Sequence, residues 1–185
     1  MNINFKDSFY SAVEKKGGTV SGNYISGRRK ISIKCSCGKV WRDKPYNVVA
    51  KKKWCPICSS SKGENGIMLA LDKLKIQYTR EYIHPEMYKL HKRKCRYDFY
   101  FVINNQKYII EFDGKQHFEL CTYFGDTPYK FKKRQYTDKF KTKYALDHEI
   151  KVIRIDYTQE SIIEEHIHKA IKNNEKLYYS SKLYK

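Results

Sequence analysis

Residues 96–113 read RYDFYFVINNQKYIIEFD, two β-prone runs separated by Asn104-Asn105-Gln106. Asparagine tolerates positive φ, so the two asparagines read as the turn of a β-hairpin. With Asn104 and Asn105 as the turn, Ile103 faces Gln106 and, counting outward, Asp98 faces Glu111. Directly opposed residues hold their Cβ atoms about 5 Å apart, and like charges there repel. Period-two alternation places Asp113 on the face of Glu111, and Phe99, Phe101, Tyr108, Ile110 and Phe112 on the other. Three carboxylates thus gather on a strand pair that is too apolar to be a fully exposed edge, where burying charge is costly. A divalent cation would relieve the repulsion. The alternative is a solvated edge with Arg96 and Lys115 as partners, which the apolar flanks disfavour.

Around the hairpin the pattern is α-β-β-β-α-β. Residues 62–75 carry Ile67, Ala70, Leu71 and Leu74 at helical spacing, and 76–83 form a strand candidate. Residues 130–147 read as a basic helix containing Phe140 and Tyr144, 150–157 as a strand and 160–174 as a last helix. The chain beyond Asn174 reads as a frayed tail. Glu64 lies one turn before Ile67 and Met68, so it should point inward at the helix mouth; by itself it would read as a first-turn acid complementing the helix dipole. His84, His91, His148, His166 and His168 have no comparable acidic company and read as surface or helix-face residues.

This order, with Asp98 opening one strand and Glu111-x-Asp113 on the next, resembles the PD-(D/E)XK nuclease superfamily. The Vsr-like (EDxHD) branch is the closer likeness, carried by SKGENGIMLALDKLKIQY, RYDFYF, IIEFDGKQHF and YTDKFKTKYALDHEIKVIRI over residues 62–156 or so. The resemblance implies an α/β restriction-endonuclease-like core, a mixed sheet flanked by helices, that hydrolyses phosphodiester bonds with Mg²⁺ or Mn²⁺. It implies that Asp98 and Glu111 bind the metal, that Asp113 stands at the superfamily's catalytic-lysine position and that His117 accepts a proton. Glu64 would support the cluster, and Asp138 would orient His117 or a water. Asp113-Gly114-Lys115 is itself a D-x-K, so Asp98, Asp113 and Lys115 form an alternative working set, unless Gly114 twists Lys115 away. Lys141, Lys143 and Arg154 are candidates for phosphate contact.

The N-terminal third carries a different signal. Cys35-x-Cys37 and Cys55-Pro-x-Cys58 cluster, while Cys95 and Cys121 lie far off. Close cysteine pairs in a chain without secretory features favour metal over disulfides. Four thiolates close a tetrahedral Zn²⁺ site, which substitutes for the core that so short a segment cannot build. The first pair is tighter than the usual two-residue gap, which makes Cys37 the weakest ligand candidate. Trp41 and Trp54 are expected to wrap the site. Arg28, Arg29, Lys30, Lys51, Lys52 and Lys53 surround it with positive charge for nucleic acid. A helix over Phe5–Lys16 precedes the module, KISIK (30–34) reads as a strand, and SSSKG (59–63) as a linker. The stretch from Gly17 to Cys58 resembles zinc-ribbon or treble-clef modules found beside nucleases of phages and large DNA viruses. In many of those a histidine follows the first cysteine at the fourth position, where this chain has Lys39. The expected organisation is a zinc-ribbon-like nucleic-acid-binding module over 1–60, a nuclease domain over 61–174 and a basic tail over 175–185.

The formal net charge of +18 on 185 residues makes a polyanion the natural partner. DNA is the expected one, and RNA fits the charge equally. No apolar run approaches membrane-spanning length, and MNINFKDSFYSAVEKKGG lacks a signal-peptide core, so a soluble, intracellular protein without a membrane partner is expected. Richness in Lys, Asn, Ile and Tyr points to an AT-rich genome, hence a phage, virus or mobile element and the cytoplasm of a prokaryotic or infected host cell. Monomer and homodimer stay open. The rival reading from another class is a non-catalytic nucleic-acid-binding protein on a nuclease scaffold, which would gain nothing from clustered negative charge.

Overall fold

The computed structural model describes residues 4–87, 95–122, 125–173 and 175–184. The chain divides into two compact units, Met1–Ser61 and Lys62–Lys185, within the SSSKG stretch. His91 and the helix end expected at Asn174 lie outside the described residues.

In the first unit, helix α1 (Phe5–Glu14) starts at Asn4, whose side chain accepts from Lys6 N at 3.2 Å, and it buries Phe9 and Val13. Strands β1 (Thr19–Ser21), β2 (Ile31–Lys34) and β3 (Val40–Asp43) form an antiparallel sheet in chain order. Helix α2 (Pro45–Val49) follows, with proline at its first turn. Phe9, Val13, Ile31, Ile33 and Val48 make the core, against which Trp41 and Trp54 pack edge to face at 5.2 Å. The tryptophans are therefore partly buried residues packed against the core of this unit. Between β2 and β3 the chain turns sharply, with Cys35 N bonded to Lys39 O and Gly38 N to Cys35 O, each at 2.9 Å. Gly38 has φ +89°, a left-handed conformation that glycine adopts without a Cβ penalty.

In the second unit, α3 (Lys62–Lys73) leads into β4 (Tyr78–Tyr82), β5 (Tyr97–Ile103) and β6 (Gln106–Asp113). A 3₁₀ turn (Lys115–His117), the long α4 (Pro128–Asp147) and β7 (Lys151–Asp156) follow, then α5 (Ile163–Lys172) and β8 (Leu177–Tyr179). The five-stranded sheet has the order β4-β5-β6-β7-β8, antiparallel up to β6 and parallel from β6 to β8. It is a mixed α/β arrangement.

Asn104 and Asn105 have φ +48° and +62°, and Ile103 pairs with Gln106, which is the two-residue turn and register expected of the hairpin. The ladder runs outward to Phe99 opposite Ile110. At the next step the Asp98 carboxylate takes the Phe112 N–H at 2.9 Å, so a side chain replaces the main-chain acceptor where the strands part.

Both sheet faces are covered, so the solvated-edge alternative is excluded. On one face Tyr144 and Ala145 of α4 pack with Tyr97, Ile109 and Val152. On the other, Phe112 lies so close to α3 that a Cβ on Gly63 would meet its ring at 2.1 Å, and α3 packs against α5. Arg96 and Lys115, the partners proposed for such an edge, pair instead with Glu81 and Glu119.

Residues 175–184 are not frayed. Strand β8 extends the sheet beside β7, with Val152 N bonded to Lys176 O at 2.9 Å and Ser180 N to Arg154 O at 3.0 Å. Asp156 fastens it through Ser180 Oγ at 2.6 Å. A strand of three residues carries too little alternation to register as one, and its stability comes from the neighbour it joins.

Candidate metal centre and acidic site

The turn after β2 brings Cys35 and Cys37 up to Cys55 and Cys58. Cys35 Sγ lies 3.6 Å from Cys58 Sγ, and Cys37 Sγ lies 3.6 Å from Cys55 Sγ. All four sulfurs fall within 4.8 Å of one another. Sulfurs on one tetrahedral zinc with bonds of about 2.3 Å stand about 3.8 Å apart, so the cluster has the dimensions of a zinc site. Cys37 takes its place with the others despite the tight first pair. Burial pushes the Cys35 thiol up, but the Cys37 N–H and the neighbouring thiols and Ser36 outweigh it and lower it to about 6. Cys58, hydrogen-bonded to Cys35 and Cys37, is pushed up to about 12. Such sharing of negative charge among thiols is what a cation would relieve. Arg28, Arg29, Lys51, Lys52 and Lys53 are exposed in this unit, and Lys51 lies over the Tyr46 ring.

The acids of β5 and β6 gather where β6 ends and β5 begins. Glu111 points to the α4 face and is buried, with its carboxylate 2.6 Å from Lys141 Nζ. Burial pushes its carboxyl up to about 8; the Lys141 charge works downward and the Asp98 charge upward. Burial likewise raises Asp98, aided by the charges of Glu64 and Asp113 and opposed by the Phe112 N–H and Lys141. Lys141 is itself held, its ammonium 5.1 Å from the Tyr97 ring centre and its carbonyl accepting the Tyr97 hydroxyl at 2.8 Å. Two carboxyls raised by burial thus share the field of one ammonium.

Asp113 is fully buried and differently occupied. Arg154 of β7 grips it through Nε at 2.8 Å and Nη2 at 2.5 Å, and the Tyr184 hydroxyl donates to it at 2.8 Å. Arg154 also donates to Thr142 Oγ1 at 3.0 Å and the Asp138 carbonyl at 3.3 Å, so one guanidinium joins β6, β7 and α4. Its own desolvation would lower its pKa, but the hydrogen bond and charge of Asp113 raise it.

His117, on the 3₁₀ turn, bonds Asp138 Oδ2 through Nδ1 at 2.7 Å and lies 3.4 Å from Asp113 Oδ1. Burial pushes Asp138 up, yet the His117 bond and the charges of His117, Arg154 and Lys141 hold it below its ordinary value. Asp113, His117 and Asp138 could geometrically hold an ion. Arg154 already supplies a cation there, gripping Asp113 and standing 3.7 Å from Asp138, as Lys141 does beside Glu111. Beside His117 and Asp138 opens a cavity of about 580 Å³, rimmed by Phe118, Lys139, Tyr179 and Tyr184. The Tyr184 ring stacks on Tyr179 at 4.4 Å and meets Phe118 edge-on at 5.1 Å.

Several placements differ from expectation. Lys115 is exposed and pairs with Glu119 at 3.3 Å, turned from the acids by Gly114 and the 3₁₀ turn. Lys141 and Arg154, expected as phosphate contacts, are buried counter-ions of Glu111 and Asp113. Lys143 is exposed and pairs with Asp147 at 2.7 Å. Glu64 pairs with Arg80 at 3.0 Å while remaining near enough to raise Asp98. His166 is buried between Tyr178 and Gln159, and His84 and His148 lie together with Glu86. Lys141 had a legible signal, since it lies one turn after Asp138 and so on the same helix face. Tyr184 had none, because its approach to Asp113 depends on β8.

Among the described residues no helix is long and apolar enough to cross a membrane. Comparison with family models, curated proteins and solved structures yields no match.

Proposed function

We propose that the chain is a divalent-metal-dependent DNA endonuclease of the PD-(D/E)XK type, carrying a zinc-bearing N-terminal module. The observation behind this reading is the Asp98–Glu111 pair, two acids raised by burial that face a single lysine. Carboxyls shifted by burial and converging at one end of a sheet mark candidate functional sites. The donor set suits Mg²⁺ or Mn²⁺, which bind through one or two carboxylates and keep several waters. A divalent ion held by Asp98 and Glu111 supplies charge neutralisation at the scissile phosphate and acidifies a water.

The remaining steps belong to the chain's own groups. Lys141, beside Glu111, can serve the role that the alternative D-x-K set would give to Lys115, donating to a water or a phosphate oxygen. Asp138 holds His117 through Nδ1, leaving Nε2 to accept a proton. Arg154 holds Asp113 in place through two hydrogen bonds, so that this acid braces β6 against β7. In the first unit Cys35, Cys37, Cys55 and Cys58 would hold Zn²⁺ as a structural ion. The positive charge of the chain supports DNA as substrate.

The test is incubation with supercoiled DNA and Mg²⁺ or Mn²⁺, with EDTA as control. Nicked or linear product, lost in EDTA and in Asp98→Asn and Glu111→Gln, is expected. Full metal-dependent cleavage by both variants would sink the proposed site. The contacts Glu111–Lys141 and Asp113–Arg154 also suit a rival, a non-catalytic binder whose acids find their partners inside the fold. DNA binding without cleavage under any divalent ion would favour that rival, and cleavage confined to RNA would change the substrate.

A further inference from the structure

We propose that His84, Glu86 and His148 form a second metal site, for a divalent transition-metal ion of the zinc class. The three residues come from separate parts of the second unit's sequence, two just after β4 and one at the C-terminal cap of α4. Each offers a donor atom, and these atoms lie within 4.8 Å of one another. His148 Nε2 is 3.3 Å from Glu86 Oε2. Two donors on one tetrahedral ion with bonds of about 2.0–2.1 Å stand about 3.4 Å apart, so this pair already has the spacing of ligands.

The surroundings of the imidazoles support the same conclusion. A ligating histidine usually uses its other ring nitrogen on a fixed partner, which sets its tautomer and aims its lone pair. Here both histidines are held through Nδ1 by one residue. His148 Nδ1 lies 2.8 Å from the Tyr144 carbonyl, and His84 Nδ1 lies 3.0 Å from the Tyr144 hydroxyl. The carbonyl can only accept, so His148 carries its proton on Nδ1 and leaves Nε2 bare whenever it is neutral. For His84 the metal-ready tautomer is the one donating Nδ1–H to the tyrosine oxygen. Tyr144 is buried, and His148 stacks on its ring at 4.1 Å.

Without an ion, the cluster would be a His148–Glu86 pair whose carboxylate is 64% exposed, a contact of little value. Two imidazoles and one carboxylate suit Zn²⁺, Co²⁺ or Ni²⁺ and suit Mg²⁺ or Ca²⁺ poorly. Bound there, an ion would clip the segment after β4 to the end of α4.

The test uses the full chain with its cysteine cluster zinc-loaded and without DNA, so it is independent of cleavage. Calorimetric titration with Zn²⁺ should show one further equivalent, and titration with Co²⁺ should give d–d bands without thiolate charge transfer. His84→Ala, His148→Ala and the exposed Glu86→Gln should each weaken or abolish this equivalent while the thiolate-bound zinc remains. Tyr144→Phe, which removes the hydroxyl that holds His84 and also meets the Met87 backbone, should weaken affinity about 10–100-fold. A wild-type chain that takes up no ion beyond the cysteine site overturns the proposal. So does a further equivalent unchanged in Glu86→Gln and both histidine variants.

Discussion

Glu111→Gln tests the acidic site without any reference to cleavage. Burial favours the neutral form of Glu111 and lifts its carboxyl from 4.5 to about 8. Between those values the folded chain keeps a proton that the unfolded chain has lost. Stability from this group is therefore complete below about pH 4.5 and falls as pH rises toward 8. Each pH unit inside the window costs about 1.4 kcal/mol, so ionising the unfolded chain at pH 7 removes about 3 kcal/mol. Glutamine does not titrate, and the loss of the Lys141 contact adds an offset that does not follow the proton. The slope therefore isolates the effect. Urea unfolding of both proteins at several pH values, in buffer free of Mg²⁺ and Mn²⁺, should show the variant gaining on the wild type by about 1.4 kcal/mol per unit between pH 5 and 8 or so. A difference independent of pH, or one shrinking as pH rises, would refute the reasoning, because Glu111 would then ionise like a solvated acid.

Elemental analysis should find one zinc at the cysteine cluster, and Cys55→Ser should release it and unfold the first unit while the second still unfolds cooperatively. Lys115→Ala should leave cleavage nearly unchanged, whereas Lys141→Ala should reduce it at least 100-fold; comparable losses in the two would return Lys115 to the site. Tyr184→Phe removes a hydrogen bond to a buried carboxylate and should cost about 2 kcal/mol in urea unfolding; a loss within error would mean the C-terminal segment does not brace Asp113.

The hairpin was readable because two asparagines at positive φ leave one register, and that register places Asp98 beside Glu111. Helices α3 and α4 were readable from their spacing and from the breaks that bound them. What could not be read was which cation meets which acid. Lys141 and Arg154 look like surface charges in a basic chain, and only the packing of α4 onto β6 and β7 turns them inward. A repulsive acid cluster in a sequence therefore signals some cation without saying whether it is an ion or a side chain. Strand β8 escaped because its partner is chosen by proximity to β7. The pairing of His84 with His148 escaped because it joins elements distant in sequence.

The asparagine turn also sets how this chain can change over evolutionary time. Substitutions along β5 and β6 alter one side chain each, but a deleted residue in β6 slides every position beyond it by one. Period-two alternation would then carry Glu111 away from Lys141 and toward the face where Phe112 presses on Gly63. The acidic site is thus more exposed to changes of length than to changes of letter. Related chains that keep this chemistry should vary freely at exposed hairpin positions such as Val102 and Lys107 while preserving the residue count between Asp98 and Glu111.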